Sequence, residues 1–66
     1  MEITINGEKH HLPAPLTVTT LLAMRELAGK RVAVEKNGEI VPKSRHAETL
    51  LAAGDKIEIV VAVGGG

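Results

Sequence analysis

The sequence predicts a two-layer α+β domain in which one mixed sheet is covered by one main helix. Three observations lead there. Asn6-Gly7 and Asn37-Gly38 each sit between short alternating segments, the pattern of a β-hairpin. Between the two hairpins, a stretch beginning at Thr17 places Val18, Leu21 and Leu22 on one helical face. A last alternating run, Lys56 to Val61, comes after a Gly54-Asp55 turn and directly precedes a glycine-rich end.

Taken in order, Met1 to Asn6 alternates, with Ile3 and Ile5 against Glu2, Thr4 and Asn6, so it reads as a half-buried strand. Both central residues of a type I′ turn need positive φ, and Asn6-Gly7 suits them. Glu8 to Leu12 is the returning strand, and Pro13 and Pro15 then make a loop. Thr17 is the expected N-cap, its hydroxyl accepting from an N–H of the first turn. Position 20 is Thr, so the Glu or Gln of a full capping box is missing. Met24, Leu27 and Ala28 extend the apolar face irregularly, and Gly29 is a natural residue to end the helix. Val32 to Lys36 is a strand, and Glu39 to Val41 is its short partner, stopped by Pro42. Lys43 to Leu51 is polar and then apolar, a loop with one helical turn. In the last strand Ile57, Ile59 and Val61 share one face, against Lys56 and Glu58.

The helix lies in a long connection after the first hairpin. Such a connection can return the chain so that a later strand runs parallel to the first. One sheet covered by one helix is the simplest way to bury both apolar faces. The expected architecture is a β-grasp, ubiquitin-like roll of four to five strands, with the first and last strands adjacent at its centre. Residues 1–61 form the domain, and 62–66 form a flexible C-terminal tail.

Composition narrows the function classes. With 66 residues and no Cys, neither a disulfide framework nor a thiolate metal site can supplement a small core. Phe, Trp and Tyr are absent, so that core is aliphatic. Lys plus Arg and Asp plus Glu are both 8, giving zero formal charge. A nucleic-acid binder would show a basic stripe and often stacking aromatics, and neither is present. No apolar run approaches the ~20 residues of a membrane span. Met1-Glu2-Ile3-Thr4 lacks the charged and apolar regions of a signal peptide, which makes a soluble cytoplasmic protein the expectation.

The unusual feature is the end, Ala62-Val63-Gly64-Gly65-Gly66. Glycine has no Cβ and lets a backbone pass close to other groups. An end made only of glycine suits a backbone that must enter a narrow channel; a frayed terminus is the plain alternative. From Ala62, the extended tail reaches roughly 17 Å at ~3.3 Å per residue. That would place the Gly66 carboxylate inside a partner's active site while the globular body docks outside. A carboxylate is a poor electrophile. A partner could activate it with ATP as an acyl-adenylate, after which a sulfur nucleophile would give a thiocarboxylate, or an amine a conjugate. With no Cys in the chain, the sulfur must come from a separate donor.

Little else points to chemistry. His10 and His11 are adjacent on a strand and point to opposite faces, so they cannot jointly hold one metal. With His46 they read as exposed or locally hydrogen-bonded histidines, and no metal site is expected. Glu26, Glu35, Glu39, Glu48, Asp55 and Glu58 are interspersed with Lys and Arg, as surface charge is, and suggest no general acid–base pair. The glycines form no phosphate-binding loop. Val60 and Ala62 face away from Ile57 and Ile59; they form either a small docking patch beside the tail or ordinary edge packing.

Several blocks together carry a family resemblance. They are Asn6-Gly7-Glu8, Thr17-Val18, the run from Val32 through Asn37-Gly38-Glu39 to Pro42, the run Gly54 to Val60, and terminal Gly65-Gly66. These resemble the ThiS sulfur-carrier family of thiamine biosynthesis. The resemblance covers essentially the whole chain, and blocks 32–42 and 54–66 are its most specific parts. It implies a β-grasp fold and a chain that is not itself an enzyme and binds no cofactor. A ThiF-type adenylating enzyme would use Mg-ATP to adenylate Gly66. Sulfur from a cysteine desulfurase persulfide or another donor would give the thiocarboxylate, and ThiG thiazole synthase would accept it. Gly65 matches the penultimate motif residue, and Gly64 is an extra glycine beyond the minimal pair.

Three other readings are weaker. The small subunit of molybdopterin synthase performs the same chemistry, but such chains tend to be longer and to carry aromatics near both ends. A ubiquitin-like conjugation tag would form amide bonds with lysines. A TGS-like β-grasp module would not need a free glycine terminus, and zero net charge speaks against RNA.

Overall fold

Both Asn-Gly pairs turn the chain as their backbone preferences dictate. In the computed structural model, which describes residues 1–13 and 15–62, Asn6 and Gly7 have φ of 49° and 84°, and Asn37 and Gly38 of 52° and 85°. These are left-handed pairs, the type I′ signature that matches the twist of the flanking strands. The first turn joins β1 (Glu2–Ile5) to β2 (Glu8–His11), with Ile5 opposite Glu8. The second joins β3 (Val32–Lys36) to β4 (Glu39–Val41), with Lys36 opposite Glu39. The last strand is β5 (Lys56–Val61).

The five strands form one sheet in the order β2-β1-β5-β3-β4. β1 and β5 are parallel, with Thr4 opposite Lys56 and Ile5 opposite Ile57; the other pairs are antiparallel. The fold is the expected β-grasp roll, with first and last strands adjacent at the centre. One face is covered by α1 (Val18–Met24). Ile3, Ile5, Val34, Val41, Ile57 and Ile59 on the strands pack with Leu12, Val18, Leu21, Leu22 and Leu51 in a single aliphatic core. Val61 shares the face of Ile57 and Ile59 by alternation but is 39% exposed, at the rim of the covered area.

The start of α1 is fully accounted for. Thr17 is the N-cap, its Oγ1 accepting from Thr20 N at 3.2 Å. The N–H groups of Val18 and Thr19 have no partner inside the helix and donate to Thr49 O at 3.0 Å and His46 O at 3.1 Å. The segment after the 3-10 turn Lys43–Arg45 therefore closes the helix start, and Leu51 N donates back to Leu16 O at 2.8 Å.

The helix ends one turn before Gly29, contrary to the sequence reading. Glu26 takes φ of 60°, Glu26 N donates to Ala23 O at 3.1 Å, and Leu27 N donates to Leu22 O at 2.8 Å. These are the two reversed bonds of a Schellman motif, with Glu26 in the left-handed position. Leu27 turns back and packs against the core beside Leu22, the apolar contact that accompanies this motif. Met24 is consequently 54% exposed, off the apolar face. Gly29, at φ 80°, serves a second reversal in the connection to β3.

Two changes probe this frame. Glu26→Gly should raise stability by about 0.5–1 kcal/mol, because an L-residue in the left-handed region costs more than the extra chain entropy of glycine. Asn6→Gly keeps the turn but removes a side-chain amide that bonds both backbone groups of Ile59, and should lower stability by about 1–2 kcal/mol. Urea unfolding of each variant measures both effects. A stabilised Asn6→Gly would mean that the turn conformation, not the amide, is what matters there.

Candidate functional site

The region that could act is the end of β5, where the chain leaves the sheet. β5 is held on both flanks. On the β1 side, Asn6 N donates to Ile57 O at 2.9 Å. The Asn6 side chain then continues the ladder where β1 has already turned away: Ile59 N donates to Oδ1 at 2.8 Å and Nδ2 donates to Ile59 O at 3.1 Å. On the β3 side, β3 runs opposite β5 from Lys36–Ile57 to Val32–Val61. Ala62 N donates to Arg31 O at 2.9 Å, one step beyond the strand.

The base of β5 is held in the same manner. Asn37 N donates to Lys56 O at 2.7 Å, and Lys56 N donates to Asn37 Oδ1 at 2.9 Å. Asp55 is buried and accepts from Asn37 Nδ2 at 3.0 Å and from Ala52 N at 2.7 Å. Each turn asparagine thus does two things, taking positive φ and fixing one end of β5.

Alternation divides the residues of β5 between two faces. Ile57 and Ile59 face the core, and Val60, at 63% exposure, stands on the open face of the sheet. Ala62 is also exposed. Ala33 lies opposite Val60 on the neighbouring strand, and Ile40 of β4, opposite Glu35, is 72% exposed. Sequence reasoning named Val60 and Ala62 but missed Ala33 and Ile40. The signal was present, because Val34 and Val41 point inward and their neighbours must point outward. Glu35 and Glu58 are directly opposite each other beside this apolar group.

Gly64, Gly65 and Gly66, the residues expected to carry the chemistry, lie outside the described residues. The histidines are dispersed. His10 and His11 are on β2 at the edge of the sheet, half-buried and exposed respectively; His11 lies 3.6 Å from Glu2 and His10 4.0 Å from Glu8. His46 is buried after the 3-10 turn, its Nε2 at 3.0 Å from Val41 O. A carbonyl only accepts, so Nε2 carries the proton of that bond. Among the described residues, no group of His, Cys, Asp or Glu could hold a metal ion. No helix among them is long and apolar enough to cross a membrane.

The sequence profile of the ThiS family matches residues 1–66. The chain belongs to the ThiS family. The fold of this ThiS-family chain matches the crystal structure of the thiamine biosynthesis protein ThiS from Geobacter metallireducens with a TM-score of 0.85 at 33% identity, covering 100% of both chains. It is 50% identical over 50 residues to the sulfur carrier protein ThiS of Bacillus subtilis, 76% of each chain. It is 47% identical, over all 66 residues, to part of the thiazole synthase of Paramagnetospirillum magneticum. The chain spans about a fifth of the length of that protein, 20%, and the same share of the thiazole synthase of Magnetococcus marinus.

Proposed function

We propose that this chain is a sulfur carrier for thiazole formation in thiamine biosynthesis, and that its working group is the carboxylate of Gly66. The observation that carries the reading is a strand held as far as Ala62, two residues before the sequence Gly64-Gly65-Gly66, on a fold that matches ThiS throughout. The chain supplies no catalytic side chain; it is a co-substrate, and partner enzymes do the chemistry.

A ThiF-type enzyme with Mg-ATP adenylates Gly66: a carboxylate oxygen attacks the α-phosphorus and pyrophosphate leaves. A sulfur nucleophile then attacks the carbonyl. A C–S bond forms, the C–O bond to phosphate breaks, and AMP departs. Where the nucleophile is a desulfurase persulfide, a thiol must then reduce the resulting S–S bond to free the thiocarboxylate. A thiazole synthase of the ThiG type accepts the sulfur. The likeness of this chain to a stretch within two thiazole synthases supports that partner.

Division of labour between body and tail is a consequence of the anchoring. The open face around Val60, Ala33, Ala62 and Ile40 docks on the partner, and the glycines enter its channel, where no Cβ obstructs them. The exposed aliphatics of that face, Val60 and Ile40, supply the apolar contact of the fit.

Incubation with a ThiF-type enzyme, Mg-ATP and a sulfur donor should convert Gly66 to the thiocarboxylate. Exchange of oxygen for sulfur has nearly the mass gain of oxidising Met1 or Met24. Fragment ions must therefore place the change on Gly66, and a thiol-alkylating label should confirm it. An unmodified Gly66 beside a demonstrably active adenylating enzyme would overturn the proposal. Val60→Lys should leave stability within about 0.5 kcal/mol, since Val60 is largely exposed, yet slow thiocarboxylate formation. Unchanged kinetics in that variant would remove the open face from the docking surface.

A further inference from the structure

One concavity is used by neither the tail nor the open face. It lies in the layer opposite that face, between the end of α1, the connection into β3 and the 3-10 turn, and has a volume of about 320 Å³. Leu22, Leu27 and Val32 give it an apolar wall; Lys30, Arg31 and Lys43 surround them. Among the described residues, no Asp or Glu lines it. The ion pairs among the described residues are His10–Glu8, His11–Glu2 and Arg45–Glu48, so none of these cations is engaged in one.

We infer that this cavity binds a small organic phosphate, a phosphate monoester carrying an apolar ring or chain. The cations come from two separate segments, 30–31 and 43, that line one cavity. A phosphate monoester, with a charge of about −1.5 to −2 at neutral pH, is a stronger counter-ion for them than a carboxylate. Arg31 adds a planar fork suited to phosphate oxygens. The apolar wall favours a hydrocarbon or aromatic body over a sugar. A cavity at the lower end of the roughly 300–1,000 Å³ range of ligand pockets suits a small molecule better than a protein segment.

His46 gives the cavity a buried polar element. Its Nε2–H is committed to Val41 O, so the donors available to phosphate oxygens are those of Lys30, Arg31 and Lys43. The wall also includes Arg31, whose carbonyl anchors Ala62. A ligand here would touch the strand pair that carries the tail from the side opposite the docking face, so it would not compete with a docked partner.

The test is a titration of the isotope-labelled whole chain with phenyl phosphate, monitored by amide NMR shifts. Inorganic phosphate and phenol, the two halves of the probe, and benzoate, a monoanion, serve as comparisons. Saturable shifts confined to 19–22, 27–32 and 43–46, at millimolar concentration and weaker with each comparison compound, support the site. The exposed pair Lys30→Gln with Lys43→Gln should weaken binding about fivefold or more while leaving the rest of the spectrum native. Arg31→Gln, which keeps the carbonyl to Ala62, should do the same. Shifts that do not saturate, spread over the chain, or persist unweakened in the natively folded variants would overturn the inference. So would tighter binding of a glutamate-rich peptide, which would assign the cavity to an acidic partner segment. No adenylating enzyme takes part and Gly66 is not read out, so the result stands apart from that of the sulfur-carrier experiment.

Discussion

The central parallel pair is the constraint on which the rest of the structure depends. β1 and β5 face each other directly at only Thr4–Lys56 and Ile5–Ile57 before β1 reverses. A parallel contact that short gives little register of its own. Asn6 supplies the missing register through Ile59, and Asn37 extends the β3–β5 ladder at the base of β5 through Lys56. A slip of one residue would carry Ile57 and Ile59 to the open face and Val60 into the core. The side-chain amides therefore protect both the core and the point from which the tail leaves.

The same economy governs the helix. A seven-residue helix without aromatic neighbours is too short to persist alone, so its stability comes from its packing partners and from how its ends are satisfied. Its first N–H groups are met by Thr17, His46 and Thr49, from two segments far apart in sequence. Its last turn is closed by the backbone of Glu26 and Leu27. The long excursion from β4 to β5 is thus part of the helix cap, and Leu51 from that excursion is buried in the core.

Local features were legible in the sequence, and long-range side-chain contacts were not. The Asn-Gly turns, the strands at 32–36, 39–41 and 56–61 and the N-cap at Thr17 come from local rules of φ preference and alternation, and the central pairing of first and last strands follows from the long connection that returns the chain. The helix end was misread because glycine is the usual left-handed residue at that position, and here an ordinary Glu26 occupies it one turn earlier. Packing decided the matter: ending there lets Leu27 fold back on the core beside Leu22, which no local preference reveals. The asparagine clamps join residues 53 and 19 positions apart, beyond any sequence pattern. Val60 and Ala62 were legible by alternation alone, but Ala33 and Ile40 needed the strand order before they could be placed beside them.

The open face is not composed as stability alone would compose it. Glu35 and Glu58 stand directly opposite one another, an arrangement that disfavours pairing, and Lys56, diagonal to Glu35, offsets only part of that. Ile40 and Val60 are left largely in water when polar β-formers such as Thr would hold the same strands. A face under pressure only to fold would alternate charges and exchange those aliphatics at little cost. Its apolar and acidic pattern, lying beside the residue that anchors the tail, is better explained by contact with a partner. On that account the two sides of β5 answer to different demands: Ile57 and Ile59 hold the domain together, and Val60 and Ala62 are left for the docking role proposed above.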